Sequence, residues 1–233
     1  MIKIIPKIYE ARVFEAKMEN SRDLLVTFKL LNPNRIEFVP GQFINLRVSA
    51  NTYRSYSICS LPRFSDQVSI VVTVNFDGIG ANYLKGLKTG DVVSFIGPSG
   101  RFRLFENSLK NAYFVCTGTG ISPYIPMLSQ LLNLDNNCKV KLYFGCRNEN
   151  ELLFETYLNK LTKTYANFNY ELCVSQPNSF WRGNVGYVTK FMKISNPKTT
   201  QVYICGLSKM IDSVLELCKS LNISQENISF EKY

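Results

Sequence analysis

Histidine is absent from the 233 residues, which excludes histidine-based triads, histidine metal sites and histidine proton shuttles. The seven cysteines stand at irregular spacing and none forms a C-x-x-C pair. This spacing argues against a disulfide framework and against a locally assembled zinc or iron–sulfur site. We therefore expect no bound metal, a reducing compartment, and chemistry supplied by a cofactor or by other residue types.

Long apolar runs and a signal-peptide core are also missing, so the sequence predicts a cytoplasmic protein with no membrane span. Acidic residues are outnumbered, with 18 Asp and Glu against 27 Lys and Arg, a net charge of +9. An excess of this sign favours acidic partners. The basic residues are spread along the chain without an arginine-rich arm or a nucleic-acid motif, so a nucleic-acid partner is not expected and stays a minor alternative.

The chain changes character between Phe105 and Asn111. Before this stretch, apolar residues recur with a period of two, as in Leu24–Leu30 and Val68–Val74, with Pro/Gly turns between the runs. This pattern predicts a small antiparallel barrel over residues 1–106. Residues 107–233 alternate short apolar strands with helical segments, which predicts a parallel sheet with helices on both faces. Helices are predicted to begin at Ser122, Asn148 and Ser208.

The first chemical motif is Arg54-Ser55-Tyr56-Ser57, at the end of a predicted strand. Side chains two apart share a face of a strand, so Arg54 and Tyr56 project to one side. Arg54 can pair with a diphosphate, Tyr56 can lie on a polycyclic ring, and Ser57 can hydrogen-bond the edge of that ring. The four residues indicate a flavin site. Taken alone, they also fit an ordinary barrel strand with a solvated Arg.

The second motif is the run from Thr117 to Pro123, T-G-T-G-I-S-P, directly after a buried strand. Glycine allows close approach of a ligand to the backbone, Ser122 can cap the following helix, and Pro123 fits its first turn. A helix start of this kind attracts phosphate. The run is not a full G-x-G-x-x-G fingerprint, so a plain strand-to-helix turn is the alternative.

Together with other motifs in the same order, these residues resemble the ferredoxin–NADP reductase family from about Pro40 to the last residue. The resemblance implies an N-terminal antiparallel Greek-key β-barrel that binds FAD and a C-terminal α/β domain with a parallel sheet that binds the nicotinamide cofactor. The other matching motifs are Pro40-Gly41-Gln42-Phe43, Gly78-Ile79-Gly80-Ala81-Asn82-Tyr83-Leu84, Gly97-Pro98-Ser99-Gly100-Arg101-Phe102, Tyr143-Phe144-Gly145-Cys146-Arg147, and Cys205-Gly206 with Met210.

The resemblance also implies which residues bind each cofactor. Ala81 replaces the hydroxyl residue usual in the family, so backbone N–H groups would do more of the binding there. The FAD residues implied are Arg54, Ser55, Tyr56, Ser57, Gly78, Gly80, Ala81 and Asn82. The nicotinamide-dinucleotide residues implied are Thr117, Gly118, Thr119, Gly120, Arg147, Cys205, Gly206, Met210 and Tyr233.

Four residues carry an implied catalytic role. Ser57 would lie near flavin N5, Cys205 near nicotinamide C4, Glu231 would hold the polar end of the site, and Tyr233 would cover the flavin until displaced. The choice between NADPH and NADH stays open, with a slight preference for NADPH. Arg147 stands where some NADP-using members keep an Arg, but Gln176 stands where they often have another, for which Arg182 and Lys190 could compensate.

The resemblance implies an FAD-dependent reductase that passes a hydride from NAD(P)H to FAD and then single electrons to an acceptor. The acceptor would be a ferredoxin, a flavodoxin or another acidic electron-transfer protein. The alternatives are the reductase component of an oxygenase, an NAD(P)H:flavin reductase, and, from another class, a flavin-binding redox-sensing module without turnover. The paired flavin motifs favour retained FAD over a passing flavin.

Overall fold

The computed structural model describes residues 5–107, 110–134 and 137–233. The chain forms two compact units. The first comprises Met1–Arg103 with Ser122–Ser129, and the second comprises Leu104–Ile121 with Gln130–Tyr233. The sequence predicts two independently folding domains that meet after residue 106. The two units above are defined by spatial contacts, which do not test independent folding, so this boundary stays a prediction.

The first unit contains one antiparallel sheet of six strands. Its strands are β1 (Lys7–Met18), β2 (Asp23–Asn32), β3 (Phe43–Ser49), β4 (Thr52–Ser57), β5 (Gln67–Thr73) and β6 (Val92–Ser99), and helix α1 (Ile79–Gly86) connects β5 to β6. The spatial order is β4-β3-β6-β1-β2-β5. Just beyond β4, the Cys59 N–H donates to the Ser69 carbonyl of β5 at 2.9 Å. The two outer strands therefore approach each other, and the sheet curls into a half-barrel.

The period-two pattern of the sequence explains the core of this unit. Along β1 and β3, buried residues alternate with more exposed ones, so one face of the sheet points inward. Phe28, Phe95 and Ile44 are fully buried there, and the ring of Tyr9 stacks on that of Phe95 at 5.0 Å. The predicted antiparallel barrel class is confirmed.

The second unit contains a six-stranded parallel sheet. Its strands are β7 (Asn111–Thr117), β8 (Lys139–Cys146), β9 (Phe168–Val174), β10 (Asn184–Val185), β11 (Thr200–Gly206) and β12 (Ile228–Lys232). Their spatial order is β10-β9-β8-β7-β11-β12. From β7, strands β8, β9 and β10 follow one another toward one edge of the sheet, and β11 and β12 follow toward the other edge. The strand order therefore reverses between β7 and β11, and ligands bind outside the carboxyl ends of strands at such a point.

The helices that follow these strands begin partly where the sequence predicts. They are α2 (Tyr124–Leu134), α3 (Glu155–Thr164), α4 (Val188–Phe191) and α5 (Ser208–Ser220). The start of α5 at Ser208 agrees with the prediction, and the predictions of Ser122 and Asn148 are wrong. Helix α2 begins two residues after Ser122 and follows a 3₁₀ turn at Gly118–Ile121. A second 3₁₀ turn, Glu149–Glu151, stands where the sequence predicts a helix from Asn148. The Glu151 carboxylate closes this turn by accepting from the Arg147 N–H at 3.2 Å.

Helix α5 is 13 residues long. Within the described part of the chain, no helix has both the length and the apolar character needed to cross a membrane.

Candidate functional site

In the first unit, the motif on β4 lies directly against the first turn of α1. A Cβ atom built on Gly80 would stand 2.4 Å from the Tyr56 hydroxyl oxygen and 3.3 Å from Arg54 Cγ. Only glycine permits the helix to approach the strand this closely. The structure thus brings together two segments that the sequence places more than twenty residues apart.

The start of α1 is suited to an anion. Gly78 precedes the helix in an extended conformation, with no side-chain cap and no acidic residue in the first turn. The Asn82 N–H donates to the Gly78 carbonyl at 2.8 Å, so the amides of residues 79–81 precede the helical hydrogen-bond ladder. Amides in this position bind phosphate oxygens. With Arg54 beside Gly80, these groups fit the diphosphate of FAD.

The side chains of the other predicted flavin residues are partly engaged within the protein itself. Ala81 is buried in the barrel core, so only its backbone is left to meet a ligand. The Asn82 amide donates to Asp77 at 2.6 Å, and the Ser55 hydroxyl donates to Asn45 on β3 at 2.8 Å. Ser57 is half-buried at the end of β4, paired with Phe43 of β3.

Tyr56 is held in its neutral form. Burial of its side chain raises its pKa to about 12, although the nearby Arg54 guanidinium acts in the opposite direction. The ring packs against the barrel core, while Arg54 is exposed and donates to the Tyr53 carbonyl at 2.9 Å. A rigid uncharged ring beside a surface guanidinium can support a flat apolar group and an anion at the same time.

In the second unit, the turn after β7 closes onto the carboxyl end of β11. A Cβ atom on Gly120 would stand 2.3 Å from the Cys205 carbonyl oxygen. Gly206 has a φ of +155°, and a Cβ atom there would stand 2.5 Å from Thr117 Oγ1. Both positions require glycine for this close approach. The predicted residues therefore meet at the switch point of the sheet.

Three other predicted residues complete or flank this turn. Gly118 begins the 3₁₀ turn with a φ of +51°. Met210 on α5 lies over Gly206, since its Cε would stand 2.7 Å from an added Cβ atom. Arg147 follows the end of β8, at the same edge of the sheet.

Tyr233 places its hydroxyl inside the turn. The hydroxyl donates to the Thr117 carbonyl at 2.6 Å and accepts from the Gly120 N–H at 3.2 Å. Tyr233 is 55% exposed overall, yet burial of the hydroxyl raises its pKa to about 12, with hydrogen bonds to Thr119 and Thr117 acting the other way. Sequence reasoning missed this contact, which arises because β12 pairs in parallel with β11 and carries the last residue to the carboxyl edge.

Cys205 and Glu231 are neighbours in register on β11 and β12. Cys205 is 1% exposed, and burial, with a smaller contribution from Glu231, raises the pKa of its thiol well above the ordinary value. The side chain is therefore a neutral thiol at physiological pH. Such a group packs as a small apolar contact rather than acting as a nucleophile.

A surface cavity of about 790 Å³ lies elsewhere, at the amino edge of β7, β8 and β9, where Tyr113, Lys139 and Lys141 line it. Ligands of doubly wound sheets bind at the carboxyl edge, so this cavity is distinct from the candidate site. Within residues 5–107, 110–134 and 137–233, no three His, Cys, Asp or Glu side chains are grouped to hold a metal ion.

Comparison with protein families gives two matches. Residues 11–104 match the oxidoreductase FAD-binding domain, and residues 114–216 match the oxidoreductase NAD-binding domain. The first match begins well before Pro40, where the resemblance in the sequence begins.

Curated relatives cover nearly the whole chain. Ferredoxin–NADP reductase B of Sorangium cellulosum is 29% identical over 96% of this chain and 99% of that protein. The toluate 1,2-dioxygenase electron transfer component of Pseudomonas putida is 28% identical over 97% of this chain and 67% of that protein.

Solved structures share the fold. A cytochrome P450 reductase of Amycolatopsis superposes with a TM-score of 0.91 at 21% identity, covering 97% of this chain and 70% of that one. A ferredoxin NADP⁺ reductase from Neisseria gonorrhoeae, with bound FAD and NADP, gives 0.82 at 18% identity, covering 97% and 98%. With its FAD-binding and NAD-binding domains and these relatives, the chain belongs to the ferredoxin–NADP reductase family of flavoprotein oxidoreductases.

Proposed function

We propose that this chain retains FAD, takes a hydride from NAD(P)H and delivers single electrons to a separate ferredoxin or flavodoxin-type carrier. The proposal depends on two close approaches of the backbone, one at Gly80 and one at Gly120. At each position an added Cβ atom would overlap a neighbouring oxygen, so glycine is required. Each turn supplies backbone N–H groups to a phosphorylated ligand. A cytoplasmic location forms part of the proposal because none of the seven cysteines forms a disulfide, which suits a reducing compartment.

FAD, when bound, accepts a hydride and releases electrons one at a time. The residues of the first unit would bind and orient it. The Arg54 guanidinium pairs with the diphosphate, and the amides at the start of α1 share that negative charge. Tyr56 supports one face of the ring system as a neutral phenol, and Ser57 donates a hydrogen bond at the edge of the ring.

The residues of the second unit would orient the nicotinamide. The amides of the turn after β7 bind the dinucleotide phosphates, and the Cys205 thiol packs near the reactive carbon as an uncharged group. Glu231 holds the polar end of the site. The Tyr233 hydroxyl hydrogen-bonds the Thr117 carbonyl and the Gly120 N–H. It therefore competes with the nucleotide for hydrogen bonds to these two groups.

Charge supports an acidic protein as the electron acceptor. Residues 1–103 contain fourteen Lys and Arg against eight Asp and Glu, which is most of the excess of the whole chain. Complementary charge speeds the encounter of two electron-transfer proteins. The relative matched over 99% of its own length is also named as a ferredoxin–NADP reductase.

A second candidate function is that of the reductase component of an oxygenase. Relatives with this name include the toluate 1,2-dioxygenase component and the propane 2-monooxygenase reductase of Rhodococcus jostii, which is 24% identical. The chain spans 67% and 64% of these two proteins, respectively. The two candidates differ only in the acceptor.

The test begins with purified protein loaded with FAD. Anaerobic mixing with NADH and with NADPH should bleach the flavin absorbance rapidly, and subsequent mixing with ferredoxin, flavodoxin or an oxygenase component should restore it. The acceptor that restores the absorbance fastest identifies the partner class. A flavin-loaded protein that neither nucleotide reduces would instead support a redox sensor. A protein that fails to take up added FAD would contradict the proposal.

A further inference from the structure

This inference rests on the proposed function and concerns the adenosine half of the nicotinamide cofactor. The dinucleotide turn follows β7, and the nicotinamide end is directed to β11 through Cys205. The other half of an extended dinucleotide then crosses the carboxyl ends of β8 and β9, which lie about 5 and 10 Å from β7 in a sheet of ordinary spacing.

The ends of β8 and β9 form one continuous edge. The Ser175 N–H donates to the Cys146 carbonyl at 3.0 Å, and the Gln176 N–H donates to the Arg147 carbonyl at 2.8 Å. The side chains of Arg147 and Gln176 are exposed there. One cation and one neutral amide therefore stand at the edge that the adenosine ribose would cross.

Two carboxylates are fixed at the same edge. Glu149 accepts from the Asn178 N–H at 3.3 Å, in the loop after β9. Glu151 accepts from the Arg147 N–H at 3.2 Å and from the Asn148 side chain at 3.2 Å. These hydrogen bonds fix two carboxylates at the edge from which the Arg147 side chain projects.

The two further cations of this region make contacts with neighbouring residues of their own segments. Arg182 donates to the Ser179 carbonyl at 2.8 Å and to the Trp181 carbonyl at 3.1 Å. Lys190 lies 5.4 Å from the centre of the Phe191 ring and donates to the Val185 carbonyl at 3.5 Å. Recruiting either cation to a phosphate would break these contacts.

We infer that the adenosine end of this site takes a ribose with a free 2′-hydroxyl, so that the enzyme uses NADH, and that Glu149 and Gln176 determine this choice. A 2′-phosphate needs a fork of Arg donors. At this edge it would meet two carboxylates and one Arg, whereas a hydroxyl can donate to Glu149 or Gln176. The inference reverses the slight preference for NADPH that Arg147 indicates in the sequence.

The test measures equilibrium binding of NAD⁺ and NADP⁺ to the FAD-loaded protein by calorimetric titration. The wild type should bind NAD⁺ at least about tenfold more tightly than NADP⁺. Gln176→Arg should strengthen NADP⁺ binding about tenfold and change NAD⁺ binding little, because it adds a second guanidinium to that of Arg147. Glu149→Gln should shift NADP⁺ binding in the same direction by a smaller factor.

Arg182→Gln is the matched control, since it removes a cation that the structure assigns to its own loop. It should leave the ratio of the two dissociation constants unchanged. A selective loss of NADP⁺ binding in this variant, or a wild type that binds NADP⁺ at least as tightly as NAD⁺, would overturn the inference.

A separate readout distinguishes this inference from the proposed function. If NADPH reduces the flavin faster than NADH does, the inference fails and the reductase function stands. If neither nucleotide reduces the flavin, the proposed function itself fails, whatever the binding constants are.

Discussion

At the scale of single residues, Gly80 decides whether the flavin motif and helix α1 can share one anion site. We predict that Gly80→Ala weakens FAD retention by at least about tenfold, because the added methyl group overlaps the Tyr56 hydroxyl at 2.4 Å and displaces the helix start. The measurement is the ratio of flavin to protein absorbance after gel filtration, followed by titration with FAD.

Gly86→Ala, in the same helix, is the control for this substitution, because an added Cβ atom there would meet no heavy atom within 4 Å beyond its chain neighbours and its own helix backbone. It should retain FAD like the wild type. Equal FAD retention in the two glycine variants would show that the approach of α1 to β4 does not matter for the flavin.

Tyr233 gives a second prediction at this scale. Tyr233→Phe removes the hydroxyl that bonds Thr117 and Gly120, so a dinucleotide should bind about fivefold more tightly, the value of roughly one hydrogen bond. The dissociation constant of NAD⁺ or NADP⁺ measures the effect. Tyr187→Phe, at a tyrosine that is 77% exposed, is the control. Unchanged affinity in Tyr233→Phe would show that the hydroxyl does not compete.

The pH dependence of the Tyr233 contact follows from its raised pKa. The folded-state pKa is about 12 and the ordinary value is 10.0, so the phenol keeps its proton in the folded protein at neutral pH. The stabilisation it supplies is fully present below pH 10 and is lost as the pH rises through about 12. The difference in affinity between the wild type and Tyr233→Phe should therefore stay constant from pH 6 to about pH 9.

At the scale of elements, the turn after β7 and the end of β11 depend on each other. Gly120→Ala places a methyl group 2.3 Å from the Cys205 carbonyl oxygen, so turn and strand must separate. We predict a loss of about 2–3 kcal/mol in the free energy of unfolding, together with weaker nucleotide binding. Urea denaturation followed by circular dichroism measures the first quantity. A change below about 0.5 kcal/mol would indicate that the strand end yields easily.

At the scale of the whole molecule, the positive charge should act on the rate of encounter with the acceptor. We predict that reduction of an acidic ferredoxin slows steeply as salt rises from about 0.01 to 0.15 M, because screening shortens the range of the attraction. Stopped-flow rates across this series measure the effect. Reduction of a neutral quinone by the same protein is the control and should change little. A flat salt dependence with ferredoxin would argue against a charge-steered partner.

Much of the fold could be predicted because its signals are local. The period-two runs of the first half and the buried runs of β7 and β11 indicate strands directly. Helix starts were less predictable. The helix predicted from Asn148 does not begin there, because Asn148 makes no capping hydrogen bond and the Glu151 carboxylate closes a short turn instead. Competition between such local hydrogen bonds cannot be read from spacing alone.

The sequence by itself determined the residue types that a flavin and a dinucleotide require, their order along the chain, and the family to which it belongs. Tertiary structure alone decided which of them meet: Gly80 with Tyr56, Gly120 with Cys205, and Tyr233 with Thr117. It also decided that Arg182 is held by its own loop and that the Glu149 carboxylate accepts from the Asn178 N–H in the loop after β9. The physical reason is that strand order and register place residues far apart in sequence at one sheet edge, and local periodicity carries no information about that placement.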